Sequence, residues 1–427
     1  MPLRAGSCRT RRLLWGAMSG VFSRLVGQDA VEAELVAAAR AARGDSAHSG
    51  LTTGSMTHAW LITGPPGSGR SIAAVCFAAA LQCTAEATEG GPGCGSCRAC
   101  TTTMAGTHAD VRRVIPEGLS IGVDEMRAIV QTASRRPGTG RWQIVVVEDA
   151  DRLTEGAANA LLKVVEEPPP STVFLLCAPS VDPEDIAVTL RSRCRHVALT
   201  TPRVDAIAQV LVENDGLSEA DARWAASVSG GHVGRARRLA TDEQARSRRE
   251  RALGLARDAA TPARAYAAVE ELVASAEAEA VALTAGRNET ETEELKTALG
   301  AGGTGKGAAG ALRGAAGALK DLEKRQKSRQ TRASRDALDR ALIDLATYFR
   351  DALLVSSGAS GAASANHPDM ADKAAAMAAH VPADQLLRCI EAVLACREAL
   401  ATNVKPKFAV DAMVATMGQA LRAGQRN

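Results

Sequence analysis

The stretch Ala59-Trp-Leu-Ile-Thr-Gly-Pro-Pro-Gly-Ser-Gly-Arg-Ser71 joins an apolar run to a glycine-rich loop, and this junction decides the fold. The apolar residues before the loop predict a buried strand, and residues 72–82 after it predict a helix. A glycine-rich turn between a strand and a helix presents successive backbone N–H groups at the helix N-terminus, where they can bind phosphate. The pattern favours a nucleotide-type loop in an α/β domain over a turn kept only for its shape.

The loop keeps most of the residues that a nucleotide site requires. The positions that cradle the phosphates and ligate magnesium in such loops are present: Gly64, Gly67, Gly69 and Ser71. Arg70, however, stands where these loops carry a lysine. A planar guanidinium differs from a compact ammonium on a flexible stem, so we expect the contact with the terminal phosphates to be impaired. We therefore predict a degenerate nucleotide site, and the sequence leaves open whether ATP and Mg²⁺ bind there.

A second apolar run, residues 144–147, predicts another strand, which ends in Glu148 and Asp149. In ATPases of this layout an aspartate at the strand end orients Mg²⁺, and the next glutamate activates the attacking water. The order is reversed here, so each side chain is wrong for its task by one methylene. Because a misplacement of ~1 Å can cost about 10²-fold in rate, both tasks should be compromised. Solvated acids at the tip of a buried strand are the alternative interpretation.

The cysteines form a spaced cluster of the pattern C-x10-C-x2-C-x2-C. Its members are Cys83, Cys94, Cys97 and Cys100. Four thiolates can close a tetrahedral Zn²⁺ site, and such a site is structural because no position is left for water. A redox pair at Cys94 and Cys97 is the alternative, which the third cysteine at the same spacing disfavours.

Composition limits the classes of protein. The chain has 427 residues, of which 46% are hydrophobic and 3% aromatic, so its cores must consist mainly of aliphatic side chains and several domains are expected. The 51 basic and 48 acidic residues nearly balance, which argues against a protein that generally coats DNA. No apolar run approaches the ~20 residues of a membrane span, so we expect a cytoplasmic protein with no membrane partner.

The N-terminal residues carry arginines before an apolar patch, as secretion signals do. Ser19, Ser23 and Arg24 interrupt this patch, which disfavours export. Met18 is an alternative start, so residues 1–17 are interpreted as an N-terminal extension.

Several motifs in order between about residues 20 and 200 resemble one known family. They are Val26-Gly-Gln28, His58-Ala59, the loop 64–71, the four cysteines, Val123-Asp-Glu-Met-Arg127, the acidic strand, Asn159-Ala-Leu-Leu-Lys-Val-Val-Glu-Glu-Pro-Pro169 and Leu190-Arg-Ser-Arg-Cys194. As a set, they resemble the clamp-loader family of AAA+ ATPases. The resemblance implies an α/β AAA+ domain with a RecA-like parallel sheet, followed by a helical lid and an all-α collar.

Helical patterns fill the rest of the chain and set the predicted boundaries. The AAA+ domain with its cysteine module is placed at 18–201, the lid at 202–245 and the collar at 246–427. A flexible Gly/Ala-rich insertion is predicted at about 299–317 within the collar. The lid is recognised by its glycine turn at 230–231 and the basic run that follows.

The resemblance also implies roles for single residues. In this family the arginine matching Arg193 is a finger that a subunit extends into its neighbour's ATP site, where it stabilises charge on the transferred phosphoryl group. From the residue pattern alone, a surface arginine with an ion-pair partner is the simpler interpretation. Active members also have a polar sensor after the strand at 173–177, where this chain has Ala178-Pro179, whose side chains donate no hydrogen bond.

These departures predict a stator, a subunit with little or no ATPase activity of its own. By resemblance it would join gamma/tau and delta subunits in a hetero-pentamer that opens a sliding clamp and seats it on primed DNA in the bacterial replisome. Whether the chain itself is an enzyme is left open. The alternatives are an active, gamma/tau-like motor subunit of the same loader and a DNA-binding zinc protein with a vestigial ATPase fold.

Overall fold

The computed structural model describes residues 20–44, 56–86, 91–299, 308–359, 365–402 and 404–424. They form two compact units. The first unit consists of the residues up to Pro116 together with Ile121–Ala206. The second consists of Glu117–Ser120 together with the residues from Ile207 onward. The predicted extension 1–17 and the start at Met18 lie outside the described residues. The further division into lid and collar stays a prediction.

The first unit contains a five-stranded parallel sheet. Its strands are β1 (Ala59–Thr63), β2 (Val111–Val114), β3 (Gln143–Val147), β4 (Thr172–Ala178) and β5 (Arg195–Ala198). The strand order is β2-β3-β4-β1-β5, with every neighbouring pair parallel. Each residue of β1, β3 and β4 is buried, as expected of central strands covered on both faces. The predicted parallel α/β fold is confirmed.

The two edge strands escaped the sequence analysis. β2 reads Val-Arg-Arg-Val and β5 reads Arg-His-Val-Ala, and each exposes part of its length. Edge strands contact solvent and so carry charged side chains, which break the continuous apolar run that identified the central strands.

Helices cover both faces of the sheet. They are α1 (Asp29–Arg43), α2 (Arg70–Gln82), α3 (Arg98–Ala105), α4 (Val123–Ala133), α5 (Glu155–Glu166) and the single turn α6 (Val188–Arg191). Alternate residues of β1 enter separate apolar cores: Trp60 packs with α1 and α2, whereas Leu61 packs with α4 and α5. Trp60 meets Phe77 of α2 edge to face, with ring centroids 4.9 Å apart. This packing fixes α2, and with it the loop that precedes α2, against β1.

The second unit is helical, as predicted. Its helices are α7 (Val204–Asp215), α8 (Glu219–Ser227), α9 (Val233–Thr241), α10 (Glu243–Asp258), α11 (Pro262–Ala298), α12 (Ala308–Ser356), α13 (Ala371–His380), α14 (Ala383–Ala401) and α15 (Pro406–Gly424). A small apolar core joins α7, α8 and α9, and a larger one joins α10 to α15. Within the described part of the chain, no helix combines the length and the apolar character that a membrane span needs.

The predicted insertion at 299–317 is partly helical. Residues 308–317 form the start of α12, and the flexibility of the insertion stays a prediction. Alanine, the best helix former, recurs through this stretch and offsets the cost of its glycines. Residues 300–307 lie outside the described part.

A buried polar cluster ties α10 to the segment before α13. Arg249, 5% exposed, forms a bidentate pair with Asp369 at 2.7 and 2.9 Å. Its Nη2 also donates to Nδ1 of His367 at 2.7 Å. Because arginine can only donate, Nδ1 of His367 is unprotonated, and Nε2 donates to Thr347 Oγ1 at 2.9 Å. The cluster therefore requires a neutral imidazole.

This requirement predicts a pH dependence of stability. Burial, and then the Arg249 charge, lower the pKa of His367 below its ordinary value of 6.5. As the pH falls below about 6.5, the unfolded chain gains a proton that the folded chain does not, so stability decreases. Thermal unfolding of wild type between pH 8 and 5 should show this loss, and His367→Gln should show a smaller slope. His380→Gln, which changes an exposed histidine on α13, is the control; equal slopes in all three proteins would contradict the prediction.

Candidate nucleotide site, arginine finger and cysteine cluster

The glycine-rich loop lies at the carboxyl end of β1 and leads into the N-terminus of α2, as predicted. Gly67 and Gly69 have φ angles of 90° and 97°, in the region that favours glycine. A Cβ atom on Gly64 would lie 2.6 Å from Ser68 Oγ and 2.8 Å from the carbonyl oxygen of Leu199. The backbone of the phosphate cradle is therefore retained, and its glycines are required by the geometry.

Gln28, from the Val-Gly-Gln motif, anchors the loop. Its buried side chain donates to the carbonyl oxygens of Thr200 at 2.6 Å and Ser68 at 3.4 Å, and it accepts from the Thr200 N–H at 3.2 Å. On the other side, the Gly64 N–H donates to the carbonyl oxygen of Pro179 at 3.2 Å. The loop is thus tied to the ends of β4 and β5. Pro179 lies at the position where active members of the family have a polar sensor residue.

Arg70 closes onto the loop itself. Its Nη1 donates to the carbonyl oxygen of Gly64 at 2.8 Å. Ser71, the next residue, is half-buried at the start of α2. The arginine that replaces the lysine therefore donates one of its hydrogen bonds to the backbone of the loop, so that this N–H is not free for a phosphate.

The acids at the end of β3 are partly neutralised by a residue that the sequence analysis missed. Arg113 of β2 contacts Glu148 Oε1 through Nε at 2.7 Å and through Nη2 at 2.6 Å. The Glu148 side chain is 13% exposed. Asp149 follows Glu148 and precedes a 3₁₀ turn. This turn contains Asp151, whose pKa is raised by its burial and then by the charge of Asp149. Arg113 therefore already offsets part of the negative charge that Glu148 could offer to a Mg²⁺ ion.

The four cysteines meet in one cluster. Their sulfur atoms all lie within 4.8 Å of one another, and the Cys83–Cys94 and Cys83–Cys97 distances are 3.7 and 3.9 Å. A tetrahedral ion with bonds of about 2.3 Å to sulfur requires sulfurs about 3.8 Å apart. Backbone N–H groups of Cys97 and Cys100 donate to the sulfurs of Cys94 and Cys97 at 3.3 and 3.4 Å. The donor set and its spacing therefore fit a metal ion.

The protonation of the cluster also favours metal ligation. A hydrogen bond from the Cys100 thiol is the main influence that lowers the pKa of Cys83. Metal ligation requires cysteines to lose their protons, which this lowered pKa assists. Cys83 ends α2 and Cys97 caps α3, so the cluster links these two helices.

Arg193 lies in the exposed turn between α6 and β5. Its Nη2 pairs with Glu166 Oε1 at 2.5 Å, and Nη1 donates to the carbonyl oxygen of Thr189 at 2.9 Å. Both partners of the ion pair are well exposed, at 37% and 47% of their side chains. The sequence interpretation of a surface arginine with a carboxylate partner describes this state, and the finger role stays a prediction.

The helix that carries Glu166 contains most of the motif at residues 159–169. Within α5, Leu161 and Val165 are buried, whereas Asn159 and Lys163 are exposed. Thr154 caps the helix by accepting from the Ala157 N–H at 3.3 Å. The polar face is therefore available to a partner.

Comparisons with known proteins match parts of this chain to subunits of DNA polymerase III. Residues 45–203 match the family described as "DNA polymerase III, delta subunit". The delta′ subunit of DNA polymerase III from Escherichia coli is 40% identical over 147 residues, which cover 34% of this chain and 43% of that protein. The gamma/tau subunit from Mycobacterium tuberculosis is 31% identical over 214 residues, or 49% of this chain and 34% of that protein.

The chain therefore spans less than half the length of these curated relatives. Among solved structures, a DNA polymerase III gamma subunit-related protein from Thermotoga maritima aligns with 85% of this chain and 94% of its own, at 15% identity. Its TM-score of 0.36 supports no conclusion about this chain.

The geometry of the cradle predicts a specific cost for Gly64→Ala. The added methyl would collide with Ser68 Oγ and a backbone oxygen, so we expect a loss of about 2–4 kcal/mol in the free energy of unfolding. Gly44→Ala is the matched control, since Gly44 has φ of 79° but no atom within 4 Å of the new Cβ; it should cost about 1–2 kcal/mol. Urea unfolding of both variants measures the difference, and equal losses would show that the cradle tolerates a side chain.

Proposed function

We propose that this chain works as a clamp-loader component of the stator type, on the premise that its α/β domain is that of a DNA polymerase III delta′ subunit. In this proposal it is part of the DNA polymerase III holoenzyme and helps to load a sliding clamp onto primed DNA during replication. Its partners are gamma/tau and delta subunits in a hetero-pentamer, in the cytoplasm at the nucleoid. The segments 202–245 and 246–427 act as its lid and collar.

The observation that carries the stator assignment is the ion pair of Arg113 with Glu148. An ATPase needs an acid at this strand end to hold Mg²⁺ or to activate water. Here a guanidinium already neutralises the glutamate, which lowers its attraction for a metal ion. Arg70, bonded to Gly64, and Pro179, which replaces the sensor, act in the same direction. We therefore infer that ATP turnover by this chain is weak or absent, whether or not the loop binds nucleotide.

Arg193 is proposed to act in trans on the ATP site of a neighbouring motor subunit. Exposed ion pairs contribute only about 0–1 kcal/mol, so the pair with Glu166 can be exchanged for a phosphate contact at little cost. A fixed guanidinium at the transferred phosphoryl group stabilises the charge that develops in the transition state. The exposed turn before β5 is a suitable place for such a side chain, because β5 is an edge strand.

The metal of the cysteine cluster is proposed to be Zn²⁺. Four cysteine ligands favour zinc, and a site with four protein ligands has no open position for catalysis. The ion would hold the end of α2 against the start of α3 and so brace the helix that carries the phosphate loop. The chemistry it supplies is structural.

The likeness to gamma/tau subunits favours one alternative, an active motor subunit of the same loader. This alternative requires ATP hydrolysis by the isolated chain that Arg70→Ala abolishes. The stator proposal requires that hydrolysis by the isolated chain be weak or absent.

The finger is tested by ATP hydrolysis of the loader reconstituted with this chain and stimulated by clamp and primed DNA. Arg193→Ala is expected to lower the turnover by at least 10-fold while the complex still assembles, because the arginine stabilises the transition state and a finger contributes about 10³-fold or more where it has been measured. Assembly is checked by size-exclusion chromatography.

Arg191→Ala is the control for this experiment. Arg191 lies two residues away and is also exposed, and its Nη1 donates to the carbonyl oxygen of Val181. It should leave turnover unchanged. If Arg193→Ala also leaves turnover unchanged in an intact complex, Arg193 has no catalytic role.

The zinc proposal predicts one Zn²⁺ per purified chain by elemental analysis. Cys97→Ser should lose most of the metal and melt several degrees lower, since metal binding contributes to the stability of the fold. Cys194→Ser, which lies outside the cluster, should retain its zinc and melt closer to the wild-type temperature than Cys97→Ser does. A wild-type preparation that is folded and free of metal would contradict the proposal.

A further inference from the structure

A cavity of about 80 Å³ opens among α9, α10, α11 and α12 of the helical unit. Five arginines line it: Arg235, Arg238, Arg248, Arg249 and Arg340. We call it the arginine pocket. A water molecule needs about 10–15 Å³ of such volume, so the pocket has room for several waters or for one small polyatomic ion.

Three of these arginines converge on one buried carboxylate. Glu279, whose side chain is 8% exposed, is contacted by Arg238 at 2.5 Å, Arg340 at 3.0 Å and Arg248 at 3.2 Å. Asp344, the other acid in the lining, forms a pair with Arg235. Three guanidinium groups thus share the charge of a single carboxylate.

The lining has more positive than negative charge. Two further acids pair with lining arginines: Asp242 with Arg238 and Arg248, and Asp369 with Arg249. Even with these two included, five cations face four anions. Each guanidinium has five N–H donors, and Arg340 is bonded to Glu279 through one nitrogen. Donors and charge for an additional anion are therefore present.

We propose that the arginine pocket binds a phosphate group, a function beyond the clamp-loader role and independent of the glycine loop. Guanidinium groups bind phosphate oxygens through paired, charge-assisted N–H bonds, and the volume suits a single tetrahedral anion. In this arrangement Glu279 competes with the ligand for Arg238, Arg248 and Arg340. Removal of the carboxylate should therefore strengthen phosphate binding.

The test is equilibrium dialysis of the full-length chain with labelled inorganic phosphate, at constant ionic strength maintained with chloride. Wild type should bind phosphate saturably at this site. The double variant Arg238→Gln, Arg248→Gln should bind at least 10-fold more weakly, whereas Glu279→Gln should bind several-fold more tightly. The tighter binding of Glu279→Gln cannot arise from misfolding, and circular dichroism checks the fold of each protein.

Two more variants locate the site. Arg70→Gln changes the glycine loop, and binding to the pocket should persist in it. Arg223→Gln changes an exposed arginine of α8 outside the lining and should bind as wild type does. Displacement of the label by a 5′-phosphorylated oligonucleotide would identify a terminal phosphate as a second source of the ligand, and no displacement would identify the free ion as the ligand.

Several outcomes would overturn the proposal. They are the absence of saturable binding in wild type, unchanged binding in the double variant, and loss of binding only in Arg70→Gln, which would assign the phosphate to the loop. None of them bears on the clamp-loader proposal, because that rests on Arg193 and on the acids at the end of β3.

Discussion

The parallel sheet, buried on both faces, is the constraint on which the rest of the α/β unit depends. The backbone groups of its central strands are satisfied by a neighbouring strand on each side, as β1 is between β4 and β5. Because all strands are parallel, their carboxyl ends lie at one edge. That edge brings together the glycine loop after β1, the acids after β3 and Pro179 after β4. Gln28 then joins the loop to the end of β5.

At this edge, protein groups make the contacts that an ATPase leaves for its ligands. Arg70 is bonded to the loop carbonyl, Arg113 to Glu148, and the Pro179 carbonyl to the Gly64 N–H. The loop keeps its backbone shape, while Arg70 and Glu148 already have partners within the chain. A domain arranged in this way can retain shape, position an exposed arginine for a neighbour and contribute little hydrolysis itself, which is the physical content of the stator proposal.

In the helical unit, arginines form a network of ion pairs with carboxylates that are largely buried. Arg249 pairs with Asp369 and His367, and three others share Glu279. Buried ion pairs gain little net free energy, because desolvation offsets much of their attraction. Such pairs can fix how the helices pack against one another, and the positive charge that exceeds the paired carboxylates is the basis of the phosphate proposal.

Local sequence patterns were sufficient for the parallel α/β fold, the three central strands, the phosphate loop and the cysteine spacing, because each depends on residues close together in the chain. They could not identify β2 and β5, whose edge positions remove the apolar signal, nor the pairs of Arg113 with Glu148 and of Arg193 with Glu166. Arg113 and Glu148 are 35 positions apart, Arg193 and Glu166 are 27 apart, and the contacts of the arginine pocket include Arg235 with Asp344, which are 109 apart. Only the folded chain brings such side chains together, so the tertiary structure decided which charges are neutralised and which stay available.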